Sequence, residues 1–290
     1  MRLSSVLTSV LCELGIGTAL FVCLQTTGEI RKSFFNFQSL LVGASLLLAW
    51  MTPAGQRDGL IPLPLAAISG LTAAVCFSKE RRSGGKLFLL MAAMLAGFFL
   101  VPHAIQNQFT FKWPPVAAPV NMAAGAFLFG WASGAMILGH WYLIMRGLSF
   151  QHLQRATRQL LVAVGMRTAF FVGAWLWLQP IGAAAEIRRL SDPLLISMRI
   201  MWGLLLPGIF GFMAWRCARM GSNQAATGLL YLVVVAVLIG TRLNALAPRS
   251  LSDAHLHGVP KPPLTVSQSP AKEAPRLPGR NSSHPRPHPQ

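Results

Sequence analysis

The chain has 290 residues, 53% of them hydrophobic and only 11% charged, with a mean hydropathy of +0.51. Soluble domains carry roughly 25% charged residues, so this shortage excludes an ordinary water-soluble fold and points to lipid. The 25 Lys and Arg against 8 Asp and Glu give a formal charge of +17. Those bases sit in short loops and in the tail, so anionic lipid headgroups are the expected partner and nucleic acid is not.

Met1 and Arg2 lead into an apolar run. Glu13 interrupts it and no small-residue cleavage site follows, so residues 3–24 read as an uncleaved first transmembrane helix. Ser9, Glu13 and Gly17 recur every four residues and share one face of it. The second span is expected at 34–51, ended by Thr52-Pro53-Ala54-Gly55. The third is expected at 60–78, with Pro62 and Pro64 tolerated in its first turns. A basic loop from Lys79 to Lys86 precedes the fourth, at 87–101, which Pro102 should stop. The more polar stretch 103–119 reads as an interfacial loop with Trp113 as its aromatic anchor.

The longest unbroken apolar segment is 120–146, read as the central helix. Ala126, Gly130 and Gly134 form a small-residue ridge on it, which lets another helix approach closely. Ala126, Ser133 and His140 form a heptad stripe beside that ridge. The sixth, seventh and eighth spans are expected at 159–179, 194–215 and 225–246. From 247 to 290 Pro, Ser, His, Arg and Lys dominate and no apolar period survives, so this tail reads as disordered. The fold class is therefore an all-α membrane protein: a polytopic bundle of about eight transmembrane helices over 1–246, with the disordered tail after it. No internal repeat is visible.

Eight spans put both termini on one side. Loops on the other side carry eleven bases, Arg31, Lys32, Lys79, Arg81, Arg82, Lys86, Arg146, Arg155, Arg158, Arg216 and Arg219, against five on the terminal side, leaving out the last helix end and the tail. The positive-inside rule then puts both termini outside the cytoplasm, most simply of a bacterial inner membrane. Cys12, Cys23, Cys76 and Cys217 form no CxxC pair and read as small apolar residues.

Ionisable groups within a span are candidate sites, because an unpaired charge there costs at least ~2.5–3.5 kcal/mol. Glu13 and Arg167 both fall near mid-span with opposite charge, so an intramembrane ion pair is expected, with a register-fixing role as its plainer reading. His140 is the one histidine well inside an apolar run. A hydrogen bond donated across the bundle, to the neighbourhood of Ser133 or to a facing backbone carbonyl, is its plain reading, and quinone contact, proton relay or metal or haem ligation the others. No second histidine shares its depth, which argues against a bis-histidine haem, and no other cofactor or metal site is assigned. Arg199 is expected to snorkel outward, and Asn121 to satisfy backbone groups at the start of the central helix. The tail histidines His255, His257, His284 and His288 read as part of a solvated basic segment.

In architecture alone, eight spans with few charges resemble the quinol-oxidising membrane anchors of bacterial molybdenum oxidoreductases, with no motif to carry over. The sequence leaves the activity open among three functions. The first is a quinone-linked membrane subunit of a redox complex, with other membrane subunits as partners. The second is a secondary transporter or proton-coupled carrier. The third is an assembly or structural factor.

Overall fold

The structure, a computed structural model, describes residues 2–25, 31–106, 117–144, 151–178, 197–198 and 200–246. The tail from 247 onward and Arg199 lie outside them.

The protein is an all-α polytopic membrane protein. The helices are α1 (Arg2–Leu24), α2 (Lys32–Met51), α3 (Pro53–Asp58), α4 (Pro62–Ser78), α5 (Arg82–Gln106), α6 (Ala117–Ile144), α7 (Gln151–Leu178), α8 (Leu206–Arg219) and α9 (Asn223–Leu246). A π-helical turn, Met201–Leu205, leads directly into α8. Among the described residues six segments are long and apolar enough to cross a membrane: α1, α2, α5, α6, the π turn with α8, and α9. The helix α4 is apolar but has 17 residues. The helix α7 is long but carries Arg155, Arg158 and Arg167.

The long helices form two rings of four. In the first, α1 packs on α2, α2 on α4, α4 on α5, and α5 back on α1. In the second, α6 packs on α7, α7 on α8, α8 on α9, and α9 back on α6. Ring neighbours run antiparallel. Phe35 stacks on Phe77 while Gly43 meets Leu71 between α2 and α4, and Gln154 reaches Ala218 while Gly208 meets Val164 between α7 and α8. The rings join where their first helices, α1 and α6, run side by side.

That seam is parallel, because Gly17 meets Gly130 and Phe21 meets Gly134, both contacts advancing together. Apolar lipid offers little hydrophobic drive between helices, so close backbone contact must supply the attraction. A Cβ on Gly17 would collide with the Ala126 carbonyl and the Gly130 backbone, and a Cβ on Gly130 with the Gly17 backbone. The ridge read from the sequence is thus the face that α1 occupies. Phe21 meets Trp131 edge-on at 5.7 Å one turn deeper.

Several boundaries differ from expectation. Thr52 accepts a hydrogen bond from the Gly55 N–H at 3.0 Å, and with Pro53 at the first position this cap starts the short α3 in place of a plain turn. Pro102 does not stop α5, which continues to Gln106. A proline so close to the end forfeits a single late ladder bond, so the last turn survives it. The start of α7 is two turns earlier than the apolar run: Arg155 and Arg158 face out while His152, Leu153, Ala156 and Thr157 are buried. An amphipathic turn at the interface keeps its helix without being apolar all round.

Candidate functional site

Glu13 is 3% exposed and Arg167 7% exposed, in a bundle interior with few other charges. Helix α1 presents Glu13 one turn before the Gly17 crossing. Helix α7 presents Arg167 from the opposite side. Between them lies Gly125 of α6: a side chain there would sit 3.0 Å from Arg167 Nη1 and 3.8 Å from Glu13 Oε2. Both charged groups therefore border one glycine, and the missing Cβ gives them room. Arg167 Nη1 also donates to the Asn121 carbonyl at 3.1 Å. The structure thus gathers Glu13, Arg167 and Asn121 into one neighbourhood. Asn121 serves there through its backbone carbonyl.

The other side of Arg167 faces a narrow cleft. Asn121, Arg167, Phe170, Phe171, Gly203, Leu204 and Gly240 line about 10 Å³, room for a single water. Gly203 and Leu204 belong to the π turn, whose Leu206 N–H bonds back to the Met201 carbonyl. Pro207 explains the turn. It has no N–H to give the Gly203 carbonyl, so the α ladder fails there and widens. Gly240 of α9 packs against the Gly203 backbone so closely that a Cβ would collide with it.

His140 is not in this neighbourhood. It is exposed on the outside of the protein, and its Nδ1 lies 3.5 Å from the Tyr231 hydroxyl of α9. This corrects the expected partner near Ser133, which is buried on the same stripe. The helix turns enough over seven residues for the stripe to leave the packed face by its last member. Its neighbour Trp141 points instead into an open groove of about 450 Å³, lined by Lys32, Ser33, Asn36, Phe37, Leu40, Ser78 and Trp141. Phe37 and Trp141 pack against each other in its wall, ring centroids 6.4 Å apart. Lys32 is bonded to Glu80 at 2.7 Å. The Asn36 amide has no partner among the described residues.

A third polar cluster was not anticipated. His103 is 4% exposed, and its Nε2 shares a hydrogen bond with Ser5 Oγ at 3.0 Å. Its Nδ1 is 4.0 Å from Asp58 Oδ2 on α3. Stopping the fourth span at Pro102 places His103 in a loop, and this hid the cluster. The available signal was Ser5, one turn before Ser9 in the Ser9–Glu13–Gly17 stripe. Among the described residues no three His, Cys, Asp or Glu side chains gather to hold a metal ion. Comparison of this chain with protein-family models, curated proteins and solved structures finds no match.

Proposed function

We propose that the protein is a membrane subunit of a quinone-linked redox complex, taking a quinone from the lipid into the groove between α2, α4 and α6. The observation that carries this reading is the lining of that groove. Its rings, Phe37 and Trp141, offer apolar faces to a flat headgroup, while Asn36 and Ser33 offer hydrogen-bond donors to its carbonyls. About 450 Å³ accommodates such a headgroup. The groove lies beside the Lys32–Glu80 bridge, so it sits at the membrane surface where a lipid-borne headgroup resides. The quinone contact thereby moves from His140 to its neighbour Trp141. In this reading the redox centre belongs to a partner subunit.

A photoreactive quinone analogue tests the assignment. Crosslinks in the membrane-embedded protein should concentrate on peptides bearing Asn36 or Trp141, and Trp141→Ala with Asn36→Leu should reduce them at least ~10-fold. Labelling spread along the chain, or unchanged in the double variant, overturns it.

A second reading, a proton-coupled carrier, is favoured by one observation. The π turn before Pro207 breaks the helix opposite Arg167, and broken helices beside a mid-membrane charge are the usual place for a transported ion or substrate. In either reading Glu13 and Arg167 form an intramembrane ion pair, with the Asn121 carbonyl completing the guanidinium's bonds.

A further inference from the structure

The third cluster and the first site lie on one face of α1. Ser5, Ser9 and Glu13 are each one turn apart, about 6 Å along the axis. Ser5 is 7% exposed, Ser9 3% and Glu13 3%, so the whole stripe is buried. At its outer end His103 bonds Ser5, and Asp58, 40% exposed, faces the other ring nitrogen. Arg57 lies 3.7 Å from Asp58 at the surface. At its inner end Gly17 is in backbone contact with Gly130, and Phe21 packs on Gly134 and Trp131. The polar stripe thus begins at the face where α1 starts and is closed below Glu13.

From this we infer that Asp58, His103, Ser5 and Ser9 form a one-sided proton path that connects Glu13 to the membrane face on which α1 begins. It does not depend on the quinone groove and would serve either proposed function.

Each member has the chemistry the path needs. Asp58 meets water and can pass a proton to His103. An imidazole can hold a proton on one ring nitrogen or on both, so the ring can accept on one side and donate on the other. When neutral, with Nδ1–H toward Asp58, its Nε2 accepts from the Ser5 hydroxyl. When charged, Nε2–H has two acceptors, Ser5 Oγ at 3.0 Å and the Ser5 carbonyl at 3.4 Å. A proton therefore changes only hydroxyl orientation there, with no movement of the helices. Ser9 Oγ donates to the Ser5 carbonyl at 3.1 Å and the Val6 carbonyl at 2.9 Å, and it can turn to accept from one side and donate to the other. Helical side chains lean toward the N-terminus, so Glu13 reaches back toward Ser9. The path requires one water in each one-turn gap to complete the chain of hydrogen bonds.

The charged group facing Glu13 is Arg167 of α7. Helices α2 and α5 bring no Asp, Glu, Lys, Arg or His at its depth, their charged residues lying at their ends, and α6 contributes the Gly125 backbone. Around His103 the charged group is Asp58 of α3, with Arg57 beyond it. Protonating Glu13 releases Arg167 from its counter-charge, so the proton arriving along the stripe would control the mid-membrane charge balance.

Dicyclohexylcarbodiimide reacts with a protonated carboxyl in an apolar setting and so reports the protonation of Glu13. The full chain is reconstituted in vesicles captured through an N-terminal tag, which turns the Asp58 face outward, and modification of Glu13 is followed by mass spectrometry. With the inner pH fixed, lowering the outer pH should raise the labelling rate, by up to about tenfold per pH unit. Changing only the inner pH should leave it unchanged. Ser9→Val and His103→Phe should abolish the response to outer pH while thermal unfolding shows the protein folded; Ser9→Thr should retain it. No labelling at any pH, or equal response to both sides, overturns the path in the unaltered protein. Dependence on outer pH that survives both variants overturns it too, since the proton would then enter beside Arg167.

Discussion

The two rings share one plan and differ in their third helix. In the first ring this is α4, a regular helix that begins after Ile61 with Pro62 and Pro64 in its opening turns. In the second it is α8, whose proline lies just past the π turn Met201–Leu205. Proline is harmless at the start of a helix, where the N–H it lacks has no partner anyway. Within a span it removes a bond that lipid cannot replace, so the backbone must rearrange. The first ring therefore packs as an unbroken scaffold, with Ser69 of α4 bonded to the Phe88 carbonyl and Gly43 against Leu71. The second ring has a widened turn, and that turn faces Arg167. The same residue type is structural in one ring and makes a local opening in the other because of its distance from the helix start.

The seam decides whether the rings hold together, so its disruption should have the largest effect. Gly17→Ala and Gly130→Ala each put a Cβ on the partner backbone, where no side chain can rotate away. Each should cost at least ~3 kcal/mol, at the upper end of overpacking, and folded protein should be scarce on size-exclusion chromatography in detergent. Gly165→Ala and Gly228→Ala meet nothing within 4 Å and serve as controls. They should be neutral or stabilising by about 0.5–1 kcal/mol, since alanine is the better helix former. Equal losses at all four positions would show that the rings are not joined by this contact.

The next effect in size separates the scaffold from the charge it holds. Glu13 comes from the first ring and Arg167 from the second, so the proposed pair would couple the two. Glu13→Gln and Arg167→Met should each destabilise by ~3–5 kcal/mol, because each leaves the other charge buried alone. The double variant should be closer to the unaltered protein than the sum of the singles in thermal unfolding. Additive losses would remove the pair.

The all-α polytopic class was readable because lipid requires long apolar runs, and such runs need no tertiary information to be seen; of the eight spans expected, six are long and apolar enough to cross a membrane among the described residues, α4 having 17 residues and α7 three arginines. The Gly130 ridge was readable for the same reason, since small residues at helical spacing announce a close neighbour. Features set by backbone hydrogen bonding were less visible. The π turn has no side-chain signature, only Pro207 four residues after Gly203. The extra α3 did have one in Thr52-Pro53, a cap followed by a proline, but it is too short to show an apolar period. His103 was misplaced by treating Pro102 as a stop. Glu13 and Arg167 stood out as charges among apolar neighbours, whereas their common border at Gly125 depends on a third helix and could not be read from either span.

The smallest effect is expected at the surface of the first ring, where Lys32 bonds Glu80 at 2.7 Å. The hydrogen bond from Lys32, and then its charge, hold the Glu80 carboxyl below the usual carboxylate range. A lowered value in the folded state means that the pair adds stability above the ordinary carboxylate pKa, and loses it as the pH falls through the folded value. The side chains are 56% and 72% exposed, however, so water and salt screen the attraction. Glu80→Gln should therefore match the unaltered protein in melting temperature between about pH 6 and 8, and any small deficit there should vanish on acidification. Glu80 also has a φ of 62°, in the left-handed region that favours glycine. Glu80→Gly should consequently melt no lower than Glu80→Gln, although both remove the same ion pair. A neutral-pH loss in Glu80→Gln as large as that of Glu13→Gln would erase the distinction between a screened surface charge and a buried one, on which the proposed Glu13–Arg167 site rests.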